Sequence, residues 1–417
     1  MKKVLILTVT AGNGHNSAAN AMKNKLEQTG QAEVRVVDII KEYTSHFNSW
    51  IVDKGYNIAV GYLRPLYDLF YNAYFKYPVE KASVCPPQTS VKSLNGKLLK
   101  LIYEFKPDVI YTTTYYGGMA LANLRRVYKL PSFNIVCMLD YVVSPFWEPS
   151  IGGVEILTMA HEDNRAKLLE KGFDNKNLLM TGIPVSDKFS KEIDKTKARE
   201  MLGIDKDLFT VFIFYGGGHW QGSYGILKAV LKGVKKKIQI IICNGHNEKT
   251  KKKIDKEMSK YPENFKIVNY GFVNNVDVIM SASDVMIGKG GGLSTTEAVN
   301  KGLPLIATYK LPGQEYYNIQ FLKEKGVALS FRNYKELVRH INYLYDSRDV
   351  LTRMSLGMKE MKTTAIDTIA ELIISQPDAD YDGINISLDY GKVNKIVSRA
   401  RKRRYKEIKK QKKNKQK

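Results

Sequence analysis

The feature that most constrains the fold is a local pattern that occurs once in each half of the chain: an apolar run enters a glycine turn that contains a histidine. In the first half, the β-branched run Lys3–Val9 enters residues 11–15 (AGNGH). Apolar residues at helical spacing follow within Asn16–Thr29, and Val34–Ile40 is a second apolar run. A strand, a glycine turn, a helix and a further strand form the building block of a parallel α/β sheet.

The second half begins the pattern again, because the apolar run Thr210–Tyr215 enters residues 216–219 (GGGH). Further buried strands are predicted at Asp108–Thr114, Phe133–Leu139, Ile238–Cys243, Ile267–Gly271, Val285–Ile287 and Pro304–Thr308, with a helix at Leu94–Phe105. We therefore expect an α/β protein with two Rossmann-like, doubly wound domains that face a cleft. Open sheets of this kind bind ligands at the carboxyl ends of their strands.

The chain divides into four predicted parts. Residues 1–185 form an amino-terminal Rossmann-like domain and residues 200–357 a carboxy-terminal one, joined through the polar linker Ser186–Lys206. Residues 358–376 form a helix that crosses back to the first domain, and residues 391–417 form a polybasic tail. The length of 417 residues suits two domains of ordinary size.

Cysteine and histidine usage excludes several classes of protein. The three cysteines are widely spaced, so neither a disulfide framework nor a zinc cluster is expected, and a reduced, cytosolic setting fits best. The six histidines are scattered without metal-ligand spacing, so no metal site is predicted. No apolar run approaches the ~20 residues that span a bilayer.

The net charge of +23 is concentrated at the carboxyl end. Residues 392–417 hold fourteen Lys and Arg against one acid, Glu407, in a tail that we expect to be too short to bury a core. Such a tail is typical of a solvated extension, of nucleic-acid binding or of binding to an anionic membrane surface. The tail alone does not choose between them.

The first glycine turn has two interpretations, an anion-binding site or a purely structural turn. Gly12 and Gly14, with His15, follow a strand and open a helix, so their backbone can receive an anion or a polar group, or serve only the geometry of the turn. The dinucleotide fingerprint is incomplete, since its third glycine falls at Ser17, although Asp38 resembles its ribose-binding acid. A dehydrogenase is therefore disfavoured.

The glycine loop in residues 289–298 (KGGGLSTTEA) is the most specific of the three. Its glycines allow close approach of a diphosphate, its hydroxyls are placed to cap the following helix, and Glu297 is placed either to accept bonds from ribose or to complement the helix dipole. Together with hydrogen-bonding side chains that suit sugar hydroxyls, the loop predicts a UDP-sugar pocket. The predicted donor-binding residues are Gly217, Gly218, His219, Gly271, Phe272, Gly290, Gly291, Gly292, Ser294, Thr295, Thr296, Glu297, Gln314, Glu315 and Asn318.

These motifs resemble a known family: the processive diacylglycerol glucosyltransferases of Gram-positive bacteria and the plant monogalactosyldiacylglycerol synthases, relatives of the enzyme that adds N-acetylglucosamine to lipid I. The resemblance covers Val4 to Ile374. It rests on six separated motifs in the family's order: residues 10–15 (TAGNGH), 106–110 (KPDVI), 139–140 (LD), 181–184 (TGIP), 289–298 and 312–315 (PGQE).

The resemblance implies a GT-B fold with a UDP-sugar on the second domain and a lipid acceptor on the first. The implied reaction is inverting transfer of a hexose to 1,2-diacylglycerol or glycosyldiacylglycerol, with no cofactor and no catalytic metal. A transferase acting on a polyprenyl-linked sugar is an alternative. Nucleic-acid binding through the tail is the rival from another class, and it is disfavoured because Tyr405 is the only aromatic there and the glycine loops stay unexplained.

Inverting transfer needs a base that takes the proton of the acceptor hydroxyl. His15, kept neutral at a helix start, is the first candidate as base or acceptor positioner, and Asp140 is the second. The chain departs from the family beyond Asp140, where Ser144 stands near the usual His position while Trp147 is kept. This departure concerns the acceptor side.

A lipid acceptor requires docking at a membrane, which we place at the cytoplasmic face of the cell membrane. Eleven aromatics with interspersed Lys and Arg lie between Tyr43 and Tyr77, a composition that suits an interfacial surface or, alternatively, an aromatic stripe packed in the core. The predicted acceptor and membrane residues are Gly12, Gly14, Trp50, Tyr62, Phe70, Tyr74 and Trp147. The expected partners are thus a UDP-hexose, diacylglycerol and an anionic membrane surface.

Overall fold

The computed structural model describes residues 1–10, 13–43, 94–215, 222–261, 263, 265–308, 313–382, 384, 392–400 and 403. Eight of the predicted site residues lie outside this part of the chain: Gly12, Trp50, Tyr62, Phe70, Tyr74, Gly217, Gly218 and His219.

The first half of the chain folds into a six-stranded parallel sheet of order β2-β1-β3-β4-β5-β6. Its strands are β1 (Lys2–Thr8), β2 (Ala32–Asp38), β3 (Val109–Thr112), β4 (Phe133–Cys137), β5 (Ile156–Met159) and β6 (Leu178–Met180). Its helices are α1 (Asn13–Gln28), α2 (Ile39–Tyr43), α3 (Asn95–Phe105), α4 (Tyr115–Arg125) and α5 (Asn164–Glu170), with a 3-10 helix at Pro145–Ser150. Both faces of the sheet are covered, so β1, β3, β4 and β5 are mostly apolar, whereas the edge strand β2 carries Glu33 and Arg35.

The second half forms another six-stranded parallel sheet, of order β9-β8-β7-β10-β11-β12. Its strands are β7 (Phe209–Phe214), β8 (Ile238–Cys243), β9 (Phe265–Tyr270), β10 (Val285–Gly288), β11 (Leu305–Thr308) and β12 (Ala328–Phe331). The helices of this half are α6 (Lys195–Met201), α7 (Ser223–Gly233), α8 (Glu248–Glu257), α9 (Val276–Ala282), α10 (Gly292–Asn300), α11 (Gln314–Glu324), α12 (Tyr334–Asp346), α13 (Arg348–Glu360) and α14 (Ala365–Ile374). The predicted pair of doubly wound domains is confirmed.

The predicted linker Ser186–Lys206 contains a helix, α6, that belongs structurally with the second sheet. Ala198 packs on Val278 and Ala282 of α9. The buried guanidinium of Arg199 donates to a carboxylate oxygen of Asp284 at 2.8 Å. The polar composition that suggested a linker therefore includes one buried ion pair, which sequence polarity alone does not distinguish from a solvated surface.

The helix predicted near Met358–Ile374 is interrupted, and the chain returns to the first domain through the second of the two resulting helices. Helix α13 ends at Glu360 and α14 begins at Ala365, with a break between them. Helix α14 packs on α1 through Ile366, Ile369 and Ala370, and Asp367 pairs with Lys25. The predicted crossing back to the first domain is confirmed.

The beginning of the polybasic tail is helical and partly buried: it forms no core of its own, as expected, but it adds two side chains to the core of the first domain. Residues 392–400 form a helix whose Val393 and Val397 are buried in the core cluster that includes α3. The Asn394 side chain accepts a hydrogen bond from the backbone of Gly96 at 3.1 Å. The spacing of the two valines (i, i+4) gives the segment one apolar side among its charges.

Candidate active site between the two sheets

Each sheet has a topological switch point, where the connections from two adjacent parallel strands run to opposite sides of the sheet. It lies between β1 and β3 in the first sheet and between β7 and β10 in the second. The described part of the second switch point is the turn after β10, residues 289–291, which leads into α10. The first switch point carries the start of α1 and the turn after β3. The two predicted half-sites therefore lie at the ligand-binding edge of each sheet.

The glycine loop makes close contacts within the protein. A side chain at Gly292 would collide with the backbone carbonyl of Leu139 in the first domain, and one at Gly290 would collide with the backbone of Glu315 in α11. At Gly291 a Cβ would meet only ordinary van der Waals contacts at 3.5–3.6 Å. Two of the glycines predicted for the approach of a diphosphate are thus required here for the approach of protein backbone.

Helix α10 begins without a side-chain cap, which corrects the predicted role of its hydroxyls. Ser294 Oγ donates back to the Gly291 carbonyl at 3.3 Å, and Thr296 Oγ1 to the Gly292 carbonyl at 2.8 Å. Thr295 is fully buried. The first N–H groups of α10 therefore have no side-chain cap and keep the anion-binding character of a helix start.

Asn318 of α11 joins the two domains. Its amide nitrogen donates to Asp140 Oδ1 and to the Gly290 carbonyl, both at 2.9 Å, and its amide oxygen accepts from the Tyr141 backbone at 2.9 Å. The side chain is 0% exposed. Both of its N–H groups are used, so Asn318 could donate to a sugar hydroxyl, as predicted, only if one of these bonds broke.

Asp140 of the first domain is surrounded by donor-side residues. Burial raises the pKa of its carboxyl to about 6, while hydrogen bonds from Asn318 and Gln314 act in the opposite direction. The charge of Glu315 raises the pKa further and that of Lys289 lowers it. With a pKa of about 6, the Asp140 carboxyl is ionised at neutral pH and can still take up a proton there.

Lys289 and Glu315 form an ion pair at 2.8 Å that crosses the glycine loop. The charge of Glu315 raises the pKa of Lys289, so the ammonium stays protonated beside the start of α10. The sequence pattern predicts that Glu315 binds sugar hydroxyls, and it predicts no role for the Lys289 side chain. We call Asp140, Tyr141, Lys289, Gln314, Glu315 and Asn318 the cross-domain cluster.

Tyr141 of the cross-domain cluster packs against Phe321 of α11 and so holds the two domains together. Their rings stack at 5.3 Å, and the Tyr141 hydroxyl lies 2.9 Å from Thr296 Oγ1 of α10. Both side chains are buried. Sequence reasoning missed this contact because two aromatics that far apart in the chain carry no pairing signal.

Glu297 lies one turn into α10, and its carboxyl makes no hydrogen bond with the described residues. Burial raises its pKa to about 8; the charge of Lys188 lowers it and that of Asp277 raises it. A half-buried acid without a hydrogen-bond partner is costly for the protein alone. It is therefore a candidate for contact with a ligand.

His15 lies in the first turn of α1, because the helix begins at Asn13 rather than at the predicted Asn16. Its Nδ1 is 2.6 Å from the Thr113 carbonyl. A carbonyl can only accept, so Nδ1 carries the proton and Nε2 keeps a lone pair. Burial lowers the pKa of His15, which keeps the imidazole neutral. At the neighbouring Gly14, an added Cβ would meet no described atom within 4 Å.

Two further predicted residues occupy different surroundings. Phe272 is 56% exposed and its ring stacks on His246 at 4.6 Å, beside Gly271 at the end of β9. Trp147 is only 2% exposed, in a core cluster of the first domain, with its ring edge-on to Tyr115 at 5.9 Å. The predicted place of Trp147 at an acceptor or membrane surface is therefore wrong, because the 3-10 helix turns it inward.

Among the described residues, no group of three or more His, Cys, Asp or Glu side chains is placed to hold a metal ion. Among the same residues, no helix combines the length and apolarity needed to cross a membrane.

Comparison with known proteins agrees with this architecture. The "Monogalactosyldiacylglycerol (MGDG) synthase" family model matches residues 15–185, and the "Glycosyltransferase family 28 C-terminal domain" model matches residues 213–372. A processive diacylglycerol beta-glucosyltransferase of Bacillus licheniformis is 27% identical over 90% of this chain and 94% of the relative. The crystal structure of Acinetobacter baumannii MurG covers 89% of this chain and 99% of its own with a TM-score of 0.61 at 16% identity.

The fold alone is also shared with a UDP-GlcNAc 2-epimerase from Neisseria meningitidis, at a TM-score of 0.57 and 14% identity, over 89% of this chain and 99% of the other. Two facing Rossmann-like domains with a polar cluster between them, and these domain matches, define a glycosyltransferase of the GT-B fold. More particularly, the chain matches a monogalactosyldiacylglycerol synthase model over its first half and a family 28 C-terminal model over its second, which confirms the resemblance drawn from its motifs.

Proposed function

We propose that the protein transfers a hexose from a UDP-sugar to 1,2-diacylglycerol or glycosyldiacylglycerol with inversion at the anomeric carbon. The observation that carries this proposal is the cross-domain cluster: an acid of the first domain, Asp140, lies against the glycine loop and α11 of the second. An acceptor-side base and a donor-side anion site then face one another, as in-line displacement requires. The related processive diacylglycerol beta-glucosyltransferase of Bacillus licheniformis suggests diacylglycerol and glucose as the class of substrates.

The donor is assigned to the second domain. The uncapped start of α10 and the ammonium of Lys289 suit the charge that develops on a departing diphosphate. Glu297 suits ribose hydroxyls, which would give its carboxyl the hydrogen-bond donors that it lacks. Gln314 and Glu315 are assigned to the hexose, and Gly271 and Phe272 to the nucleoside. No cofactor is assigned.

Asp140 is assigned as the general base, because it is the candidate that contacts the donor domain. His15 is the second candidate: its tautomer leaves Nε2 free to accept the proton of a hydroxyl, and otherwise to position the acceptor. The pH dependence of kcat separates them. An acidic limb near pH 6 that disappears in Asp140→Asn supports Asp140, and one that disappears in His15→Gln supports His15.

The acceptor is assigned to the first domain and reached at the cytoplasmic face of the membrane. The helix at 392–400 turns its buried valines to α3, while Lys392, Lys395, Ile396 and Arg399 are exposed, as is Arg403. A cationic face packed on the acceptor domain suits an anionic bilayer. The domain boundaries at 185 and 200 remain our proposal, with α6 added to the second domain.

The experiment that tests this function is incubation of the protein with diacylglycerol vesicles and a panel of UDP-hexoses, with products read by mass spectrometry. A glycosyldiacylglycerol with at least one donor is expected. Product only with a polyprenyl-linked sugar would replace the acceptor, and no transfer with any donor and either acceptor would overturn the proposal.

Membrane binding is tested by reversing charge on the exposed face of the basic helix. Lys395→Glu with Arg399→Glu should reduce sedimentation with anionic vesicles while turnover on detergent-dispersed lipid stays unchanged. The matched control reverses two exposed lysines of α8, Lys249 and Lys252, and should bind vesicles like the wild type. Loss of DNA or RNA binding in place of vesicle binding would support the nucleic-acid alternative.

A further inference from the structure

The amide of Asn318 lies where three parts of the molecule meet: the carboxylate of Asp140, the backbone of Tyr141 and the glycine loop at Gly290. Asp140 and Tyr141 belong to the first domain, and Gly290 to the second. One buried side chain of α11 therefore bonds to both sides of the cleft.

The orientation of this amide is decided by its partners. The Tyr141 N–H can only donate and the Gly290 carbonyl can only accept, so the oxygen of Asn318 faces Tyr141 and its nitrogen faces Gly290. The second N–H then points to Asp140 Oδ1. Both amide hydrogens are used, which leaves no donor for a substrate hydroxyl while the domains are closed.

We propose that Asn318 is a positioning residue, which ties the Asp140 carboxylate to the glycine loop so that the base is aligned for transfer only when the two domains are closed. This inference rests on the proposed function of Asp140. Opening of the cleft would break the bonds to Asp140 and Tyr141, whereas the bond to Gly290 lies within the second domain and would persist. The amide therefore stays oriented, ready to receive the carboxylate at the next closure.

Coupling of this kind has a chemical consequence. The alignment of the base depends on a residue of the opposite domain. A base that is aligned only in the closed state cannot activate water for hydrolysis of the donor sugar while the cleft is open. The ionisable groups that face Asp140 are Glu315 and Lys289 from the second domain. These two groups form an ion pair with each other. The hydrogen bonds to the Asp140 carboxylate come from the neutral amides of Asn318 and Gln314.

The test compares three variants of the full chain on α11. Asn318→Ala removes the amide. Asn318→Asp keeps its size and its acceptor for Tyr141 but removes the donors to Asp140 and to the Gly290 carbonyl. Gln320→Ala is the matched control, because the Gln320 amide nitrogen, two residues along the same helix, is buried without a hydrogen-bond partner among the described residues.

In both Asn318 variants, kcat should fall about 100-fold, as expected for a misaligned catalytic group, while UDP affinity stays near that of the wild type. The acidic limb of the kcat profile should move to higher pH, because the bond from Asn318 favours the ionised form of Asp140. Gln320→Ala should show neither change. Unchanged kcat in Asn318→Asp, or an equal loss in Gln320→Ala, would overturn the inference.

A measurement without turnover separates this inference from the proposed function. Infrared difference spectra can follow the Asp140 carboxyl, identified by its loss in Asp140→Asn, through a pH titration. Its midpoint should rise in Asn318→Ala. If the wild type glycosylates no lipid but the midpoint rises, the proposed function fails while Asn318 still holds Asp140; an unchanged midpoint overturns the link itself.

Discussion

The two halves of the cleft are built in different ways from the same architecture. In the second domain, Lys289, Glu297 and Glu315 lie close together in the sequence, in the segments that follow the successive strands β10 and β11. In the first domain, His15 reaches the carbonyl of Thr113, and Asp140 is held by a residue of the other domain. The donor half is thus a local structure, whereas the acceptor half depends on tertiary contacts. Substitutions in the two halves should therefore affect binding and turnover separately.

The sharpest test of this division is Asp140→Asn. We expect kcat to fall about 1,000-fold, within the range for loss of a general base, because an amide cannot take the proton of the acceptor. The affinity for UDP, measured by calorimetry, should stay within about twofold. A comparable loss of UDP affinity would show that Asp140 belongs to the donor half instead.

The next effect concerns closure of the cleft. Gly292→Ala should destabilise the closed state by about 1–3 kcal/mol, the usual cost of overpacking, because its Cβ collides with the Leu139 carbonyl. Turnover would then fall tenfold or more, and small-angle scattering with UDP would show a more open molecule. Gly291→Ala is the matched control, since its Cβ has room. Should Gly291→Ala lower UDP affinity while scattering is unchanged, the diphosphate approaches at that glycine.

A smaller effect is expected for the donor half alone. Glu297→Ala should weaken UDP binding about tenfold, because it removes the carboxyl oxygens that would accept hydrogen bonds from the ribose hydroxyls. Transfer at saturating donor should be nearly unchanged, in contrast to Asp140→Asn. Equal affinity of the variant and the wild type for UDP would place the ribose elsewhere.

The smallest effect is a pH dependence of stability. The pKa of Glu297 is raised from 4.5 to about 8 in the folded state, so the folded protein favours the protonated acid. Its contribution to stability is complete below about pH 4.5 and is lost as the pH rises towards 8. The melting temperature of the unliganded wild type should therefore fall relative to Glu297→Gln across this window. Parallel melting curves for the two proteins would contradict the buried placement of this carboxyl.

Sequence patterns predicted the regular parts of the fold well, for reasons visible in particular elements. The runs Thr210–Tyr215 and Ile238–Cys243 became β7 and β8 within one residue, because buried parallel strands are continuously apolar. Strands β5, β6 and β12 were not predicted; β6 has three residues and an exposed Met180, so its apolar signal is weak. The break between α13 and α14 was also missed, since both helices are amphipathic and no proline separates them.

The amino-acid sequence by itself determined the two parallel sheets, the glycine turns at their carboxyl ends and the candidate residues of each half, because periodicity and turn chemistry act over neighbouring residues. Only the tertiary structure decided which of these residues meet. It buried Trp147, docked Val393 on the first domain and closed Gly292 against Leu139. It also joined Asp140 to Asn318, because a hydrogen bond between residues so distant in the chain depends on how the domains pack.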